Sequence, residues 1–222
     1  MHKNFYISVL ILLTLIQKGI GQDTLIIETS NYKPGIYRSF NEFKYNSPSI
    51  PFTYSIKENL RRYGKLNMGG KHIEYLLEID QKEADSIFMK YDKIWGFSNG
   101  KDIFVCPAYY SEERIMQHTG FQKITYFGLF CYFEEVSVEF YSGAQTGYEN
   151  VLKGKTIYLN TGEMFTLTKT VLKKILADDI PLSKEFRTIS KESKYEQAKY
   201  QRIQNKQIII KYNERNIGKI EP

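Results

Sequence analysis

The sequence predicts an α+β fold, an antiparallel, meander-like β-sheet with C-terminal helices packed against it or closing one end. Three observations predict it. Aromatic residues make up 15% of the 222 residues, as 18 Tyr, 14 Phe and one Trp, and strands favour such residues. Two turn signals, Asn99-Gly100 and Asn160-Thr161-Gly162-Glu163, lie between apolar runs as hairpin turns do. From Thr168 onward the apolar spacing becomes helical, through Val171, Leu172, Ile175 and Leu176. Gly96 and Gly128 are points at which the sheet can curl toward a barrel.

Residues 1–21 read as a secretory signal peptide. His2 and Lys3 form a basic start, Phe5 to Ile16 is an uncharged apolar run too short to span about 30 Å of hydrocarbon, and Gly19-Ile20-Gly21 places small residues at a cleavage site. Cleavage is expected after Gly21, leaving Gln22 first, and an uncleaved anchor is the rival reading. No cysteine follows the apolar run, so no lipid anchor is expected, and the destination is periplasmic or extracellular. The rest divides into an extended arm, 22–32, with the apolar pulse Leu25-Ile26-Ile27; a β-rich core with short helices, 33–180; and a helical segment of the same domain, 181–222.

In the core, Ser39 and Glu42 have capping-box spacing for a short helix whose Phe40 and Phe43 share a face. Pro48 and Pro51 end it, Phe52 to Ile56 alternates as a short extended piece, and polar Lys57 to Lys71 reads as a loop or irregular excursion. Glu74 to Ile79 has strand character, and Asp80 to Phe88 has the pattern of a capped helix. Asn99-Gly100 suits a two-residue type I′ turn, which sets Ser98 opposite Lys101 and Trp95 opposite Phe104. Ser111 to His118 is a polar, helix-compatible turn. Phe121 to Phe127 and Leu129 to Phe133 read as one strand bulged at Gly128, Val136 to Tyr141 as another, and Ser142 to Asn150 as a loop. Lys155 to Leu159 and Met164 to Leu167 flank the second hairpin turn, with Gly162 in its left-handed position. Thr168 caps the helix that Asp178-Asp179 closes, and Pro181 suits the first turn of the next. Leu182 to Asn216 reads as one long or broken helix along the sheet.

Chemistry-bearing patterns are few. Gly154-Lys155-Thr156 ends like a phosphate-binding loop, but the required earlier glycine is Glu149 and a strand follows. Cys106 and Cys131 are an even pair in an exported chain, which suits a disulfide, while buried thiols also make good small core residues; both readings stand. Neither cysteine has metal spacing. No catalytic, cofactor-binding or metal-ligating set is expected. His72 and His118 fall in no hydrolase motif, and the doublets Glu134-Glu135 and Asp178-Asp179 read as turn and helix-end residues. Tyr109, Tyr110, Tyr126 and Tyr132 form the candidate aromatic binding surface, since tyrosine joins an apolar face to a polar tip; core packing is the alternative. Loss of Lys3 and Lys18 lowers the formal charge from +6 to +4. Such mild basicity without a basic run, in an exported chain, argues against nucleic acid.

Gly35 to Phe43, Ile94 to Lys101, Leu167-Thr168-Lys169 and Lys211 to Asn216, in this order and spacing, resemble small secreted proteins of uncharacterised function found in Bacteroidota. The resemblance covers nearly the whole mature chain. It implies export, with Gln22 able to cyclise, and carries no activity. The expected function is therefore a non-enzymatic envelope or secreted protein that binds a protein, peptide or glycan. The alternatives are a hydrolase of glycan or peptide using dispersed carboxylates, and a structural or assembly component of the envelope.

Overall fold

The computed structural model describes residues 32–64, 69–78, 94–107, 120–141, 147–192 and 198–220. The signal peptide, nearly all of the arm, the expected helix Asp80 to Phe88, the turn Ser111 to His118, and Tyr109 and Tyr110 lie outside them. The fold is α+β, and the strand pairing among the described residues is antiparallel. Instead of one curled meander the strands of the described residues form three sheets. Strands β1 (Gly35–Tyr37), β4 (Gly96–Ser98), β5 (Ile103–Val105) and β6 (Gln122–Lys123) pair in that order, β2 (Ser55–Tyr63) pairs with β3 (Gly70–Glu78), and β7 (Phe130–Tyr141), β8 (Gly147–Tyr158) and β9 (Met164–Thr166) form the third. The α-helices among the described residues are α1 (Phe40–Lys44), α2 (Lys169–Ile175), α3 (Ile180–Glu192) and α4 (Ala198–Arg215).

Three apolar clusters stack the sheets. Alternation sends Tyr37, Ile103 and Val105 from the four-stranded sheet against Cys131, Phe133 and Ile157 of the three-stranded one, with Phe40, Phe43 and Trp95 between them. The other face of the four-stranded sheet, with Ile36, Phe97 and Phe104, is covered by Ile50, Phe52, Tyr54, Ile56, Tyr75 and Leu77 around the base of the β2–β3 hairpin. The other face of the three-stranded sheet packs Phe130 and Tyr132 against Leu172, Leu176, Leu182, Phe186, Ile208, Ile209 and Tyr212 of the helices. The start of β7 is thus buried on both sides, which is why Leu129-Phe130-Cys131-Tyr132-Phe133 is a continuous apolar run without alternation.

Local signals act as their chemistry requires. Ser39 Oγ accepts from the Glu42 amide at 3.2 Å, but the Glu42 carboxylate reaches one residue past the cap and accepts from the Arg38 amide at 2.9 Å. Thr168 Oγ1 accepts from Val171 N–H at 3.2 Å, and Asp179 Oδ1 accepts from Leu182 N–H at 3.0 Å, so Asp179 starts α3 just ahead of Pro181. The β8–β9 reversal uses Gly162 at φ +80°, where an L side chain would be strained.

Four expectations are corrected. The Asn99-Gly100 hairpin pairs Ser98 with Ile103 and Phe97 with Phe104, a register two residues longer than a two-residue turn gives. The cause is the Asn99 side chain, whose Oδ1 accepts from the Lys101 and Asp102 amides at 2.9 and 2.7 Å and opens a wider loop. Phe97 and Phe104 therefore stack at 4.6 Å, and Trp95 joins the cluster around Phe43. Lys57 to Lys71 contains most of β2 and the start of β3, a polar stretch because this part of the hairpin stands largely in solvent. Its alternation is lost, but Arg61 still pairs with the buried Glu74 at 2.9 Å. Gly128 marks a chain reversal, with Tyr126 bridged to Tyr132, and β7 runs unbroken through Glu134-Glu135 to Tyr141. Much of the expected loop Ser142 to Asn150 lies outside the described residues, but Gly147 to Asn150 already belongs to β8.

The cores bury phenols as well as hydrocarbon. Burial pushes the ionisation of Tyr32, Tyr37, Tyr132 and Tyr212 well above the ordinary value of 10.0. The folded state thus favours the neutral phenol. Its contribution to stability is full below pH 10.0, the ionisation point of an unfolded tyrosine, and is lost as pH rises past that value toward the folded-state ones. Circular dichroism followed with tyrosinate absorbance should show alkaline unfolding coupled to late tyrosine ionisation. Complete ionisation at the ordinary value with the spectrum intact would contradict the buried placement.

Candidate functional site

The candidate site begins with an accident of strand length. Odd-numbered residues of β8 bond to β7, as the 2.8 Å bond from Leu159 N–H to Leu129 C=O fixes. Even-numbered ones direct their N–H and C=O to the opposite edge. There β9 engages Tyr158 and Gly154, with Leu167 N–H donating to Gly154 C=O at 2.9 Å. Farther along, Gly64 N–H donates to Asn150 C=O at 2.7 Å. Between these occupied positions lies Leu152, whose N–H and C=O point to the same edge and are bonded to no described residue. The chain leaves the sheet after β9 at Thr166, and an open groove of about 340 Å³ lies over the gap.

Its lining joins an apolar floor to a polar rim. Leu152, Leu167 and Phe186 supply the floor, and Gln201, Arg202 and Asn205 line it from α4. The rim is held in place. Arg202 Nε donates to Glu134 Oε1 at 2.9 Å, the Tyr132 hydroxyl donates to the same oxygen at 2.9 Å, and the Lys206 ammonium lies 5.0 Å from the Tyr132 ring centre. Asn205 Nδ2 donates to Leu167 C=O at 2.8 Å, tying α4 to the end of the sheet. Lys153 pairs across the strands with Glu139 at 2.5 Å. Such a groove can hold an extended residue, giving its backbone one donor and one acceptor and its side chain an apolar seat.

The residues singled out from sequence fall elsewhere. Tyr132 is fully buried and Tyr126 half-buried against the helix-side core, so neither offers an exposed platform; Tyr109 and Tyr110 lie outside the described residues. Among the described aromatics, the exposed contact is Phe140 with Tyr148, an edge-to-face pair at 5.4 Å near the far end of β7 and β8. Cys106 and Cys131 are both buried thiols in no disulfide. Burial pushes the Cys131 thiol up to about 12, while its Sγ donates to Gly128 C=O at 3.4 Å. His72 Nε2 is 2.7 Å from Gln122 Oε1.

Each carboxylate doublet is split by its geometry. Glu134 turns to Arg202 and Glu135 to Lys155 on the opposite face of β7. Asp178 accepts from Tyr212 and Lys219, which hold its carboxyl below the usual range against the effect of burial, while Asp179 caps α3 and pairs with Arg215 at 3.0 Å. No cluster of metal-ligating side chains occurs among the described residues. The sequence missed the groove because it is made of backbone, and backbone direction depends on pairing register; a clue was the shortness of the run after Gly162.

Residues 35–208 match a family described as a family of unknown function (DUF6563). No curated protein and no solved structure matches the chain.

Proposed function

The chain belongs to the DUF6563 family, and we propose that it is an exported, non-catalytic protein that binds a peptide segment of a partner, in extended form, at the Leu152 groove. The observation that carries this reading is the outward N–H and C=O of Leu152, set between edge positions occupied by β9 and by Gly64. A glycan offers hydroxyls to such a pair, but an extended peptide matches it in spacing and polarity and fills the Leu152, Leu167 and Phe186 seat with one side chain. The basic start, apolar run and small-residue site of residues 1–21 support export. The commitment of both carboxylate doublets to ion pairs and caps supports binding over hydrolysis.

The test is an array of short synthetic peptides probed with the mature chain and with two variants. Leu152→Pro deletes the outward N–H without removing a ladder bond, and Gln201→Trp fills the rim from an exposed position. Bound peptides should share an apolar residue and weaken about tenfold with the loss of one backbone bond. An array without a bound peptide, or binding that survives both substitutions, would sink the reading.

A further inference from the structure

A second concavity shares Lys169 with the groove. It is a hollow of about 540 Å³ between α2 and α3, lined by Lys169, Lys173, Ala177, Ile180, Lys184 and Arg187. The sequence spacing builds it. Lys169, Lys173 and Ala177 recur at intervals of four along α2 and the turn that follows, while Ile180, Lys184 and Arg187 recur at four and three along α3. Two cationic rows therefore flank the exposed Ala177 and Ile180. No carboxylate lines the hollow.

The neighbouring acids are engaged on the other side of these helices. Asp178 pairs with Lys219, Asp179 with Arg215 and Glu185 with Lys211, all partners from α4 or the residues after it. Asp178, Asp179 and Glu185 thus direct their charge to α4 and the residues after it, while Lys173 and Lys184 stand on the outward side. Lys173 and Lys184 are exposed, as is Ile180 at 65%.

We infer that this hollow is the docking site for an acidic stretch of the same peptide partner, continuing past Lys169 from the residue seated at Leu152. The inference deepens the groove reading and rests on it for the peptide nature of the ligand. Charge complementarity supplies the acidic character, and the shared Lys169 supplies the continuity. The exposed Ile180 adds an apolar contact, so the matching segment carries Asp or Glu around an apolar residue. A carboxylate row gains most where several fixed cations converge, and the attraction weakens as salt screens it.

The experiment uses fluorescent octaglutamate and octaglutamine peptides, inorganic phosphate, and vesicles containing phosphatidylglycerol, each titrated into the mature chain. Octaglutamate should bind and weaken with added salt, and K173E/K184E should weaken it about tenfold or more. The control K57E/K71E makes the same charge change on exposed lysines of β2 and β3 and should leave it unchanged. Circular dichroism checks each fold, and K173Q/K184Q replaces the reversal if that variant misfolds. Equal losses in hollow and control variants, equal binding of octaglutamine, or binding of phosphate or vesicles without octaglutamate would overturn the inference. Array peptides that bind through Leu152 without acidic residues and without Lys173 dependence would overturn the hollow alone and leave the groove. Octaglutamate binding that depends on Lys173 and Lys184, with no array peptide affected at Leu152 or Gln201, would overturn the groove alone.

Discussion

Trp95→Ala should lower the free energy of unfolding by about 3–5 kcal/mol, the usual cost of emptying a large aromatic site in a packed core. Trp95 is fully buried and stacks on Phe43 at 4.3 Å and 23°. Phe40 lies 5.8 Å away at a tilt, and Tyr32 stacks on Phe43 at 4.9 Å. These rings fill the space between the four-stranded and three-stranded sheets, so the cavity left by alanine is bounded by two sheets that cannot both move in. The indole Nε1 is buried without a described hydrogen-bond partner. Trp95→Phe should therefore cost much less than Trp95→Ala, because it removes that unmet donor together with part of the volume. Chemical denaturation of the three proteins checks the order. Equal losses for Phe and Ala would refute the account in which filled ring volume, and not the indole N–H, holds these sheets together.

The second large effect is expected at Asn213. Its amide grips one residue of β7 at both ends, with Phe130 N–H donating to Oδ1 and Nδ2 donating to Phe130 C=O, each at 2.9 Å. Asn213 is 3% exposed, and so the backbone groups it serves have no water to turn to. Asn213→Ala leaves a buried donor and a buried acceptor unmet, at about 1–3 kcal/mol each, for a total of about 2–6 kcal/mol. The loss should be local in its first stage. Hydrogen exchange at the Phe130 amide should quicken more than at Ile157 in the sheet interior, and an unchanged rate there would refute the clasp. Asn213→Asp keeps the acceptor and loses the donor while placing a carboxylate in the core, so it should rescue little.

Much of the architecture was readable because it depends on neighbours in the chain. Ser39 and Thr168 start helices by bonding amides three residues on, and Gly162 turns β8 into β9 within a few residues. The Asn99 hairpin shows where such reading stops. Asn-Gly marked the turn, but the Asn99 side chain capped two amides and set the longer register. Glu74 to Ile79 was legible as a strand and falls largely in β3, whereas most of β2 and the first residues of β3 were missed for a different reason, since the polar stretch Lys57 to Lys71 lacks the alternation that identifies a strand. Strand β7 was cut at Glu134-Glu135 because two adjacent acids look like a turn until Arg202 and Lys155 are found on opposite faces.

The chain by itself determined the α+β class, the starts of α1 and α2 and the second hairpin, all set by spacings of a few residues. Tertiary structure decided that three sheets form where one was expected, that Tyr132 is buried, that Cys106 and Cys131 are core thiols, and that Leu152 faces an open groove. The physical reason is range. Propensity, capping and periodicity act over a turn or two, whereas burial and the direction of an edge amide depend on which distant strand arrives alongside and how far it runs before leaving.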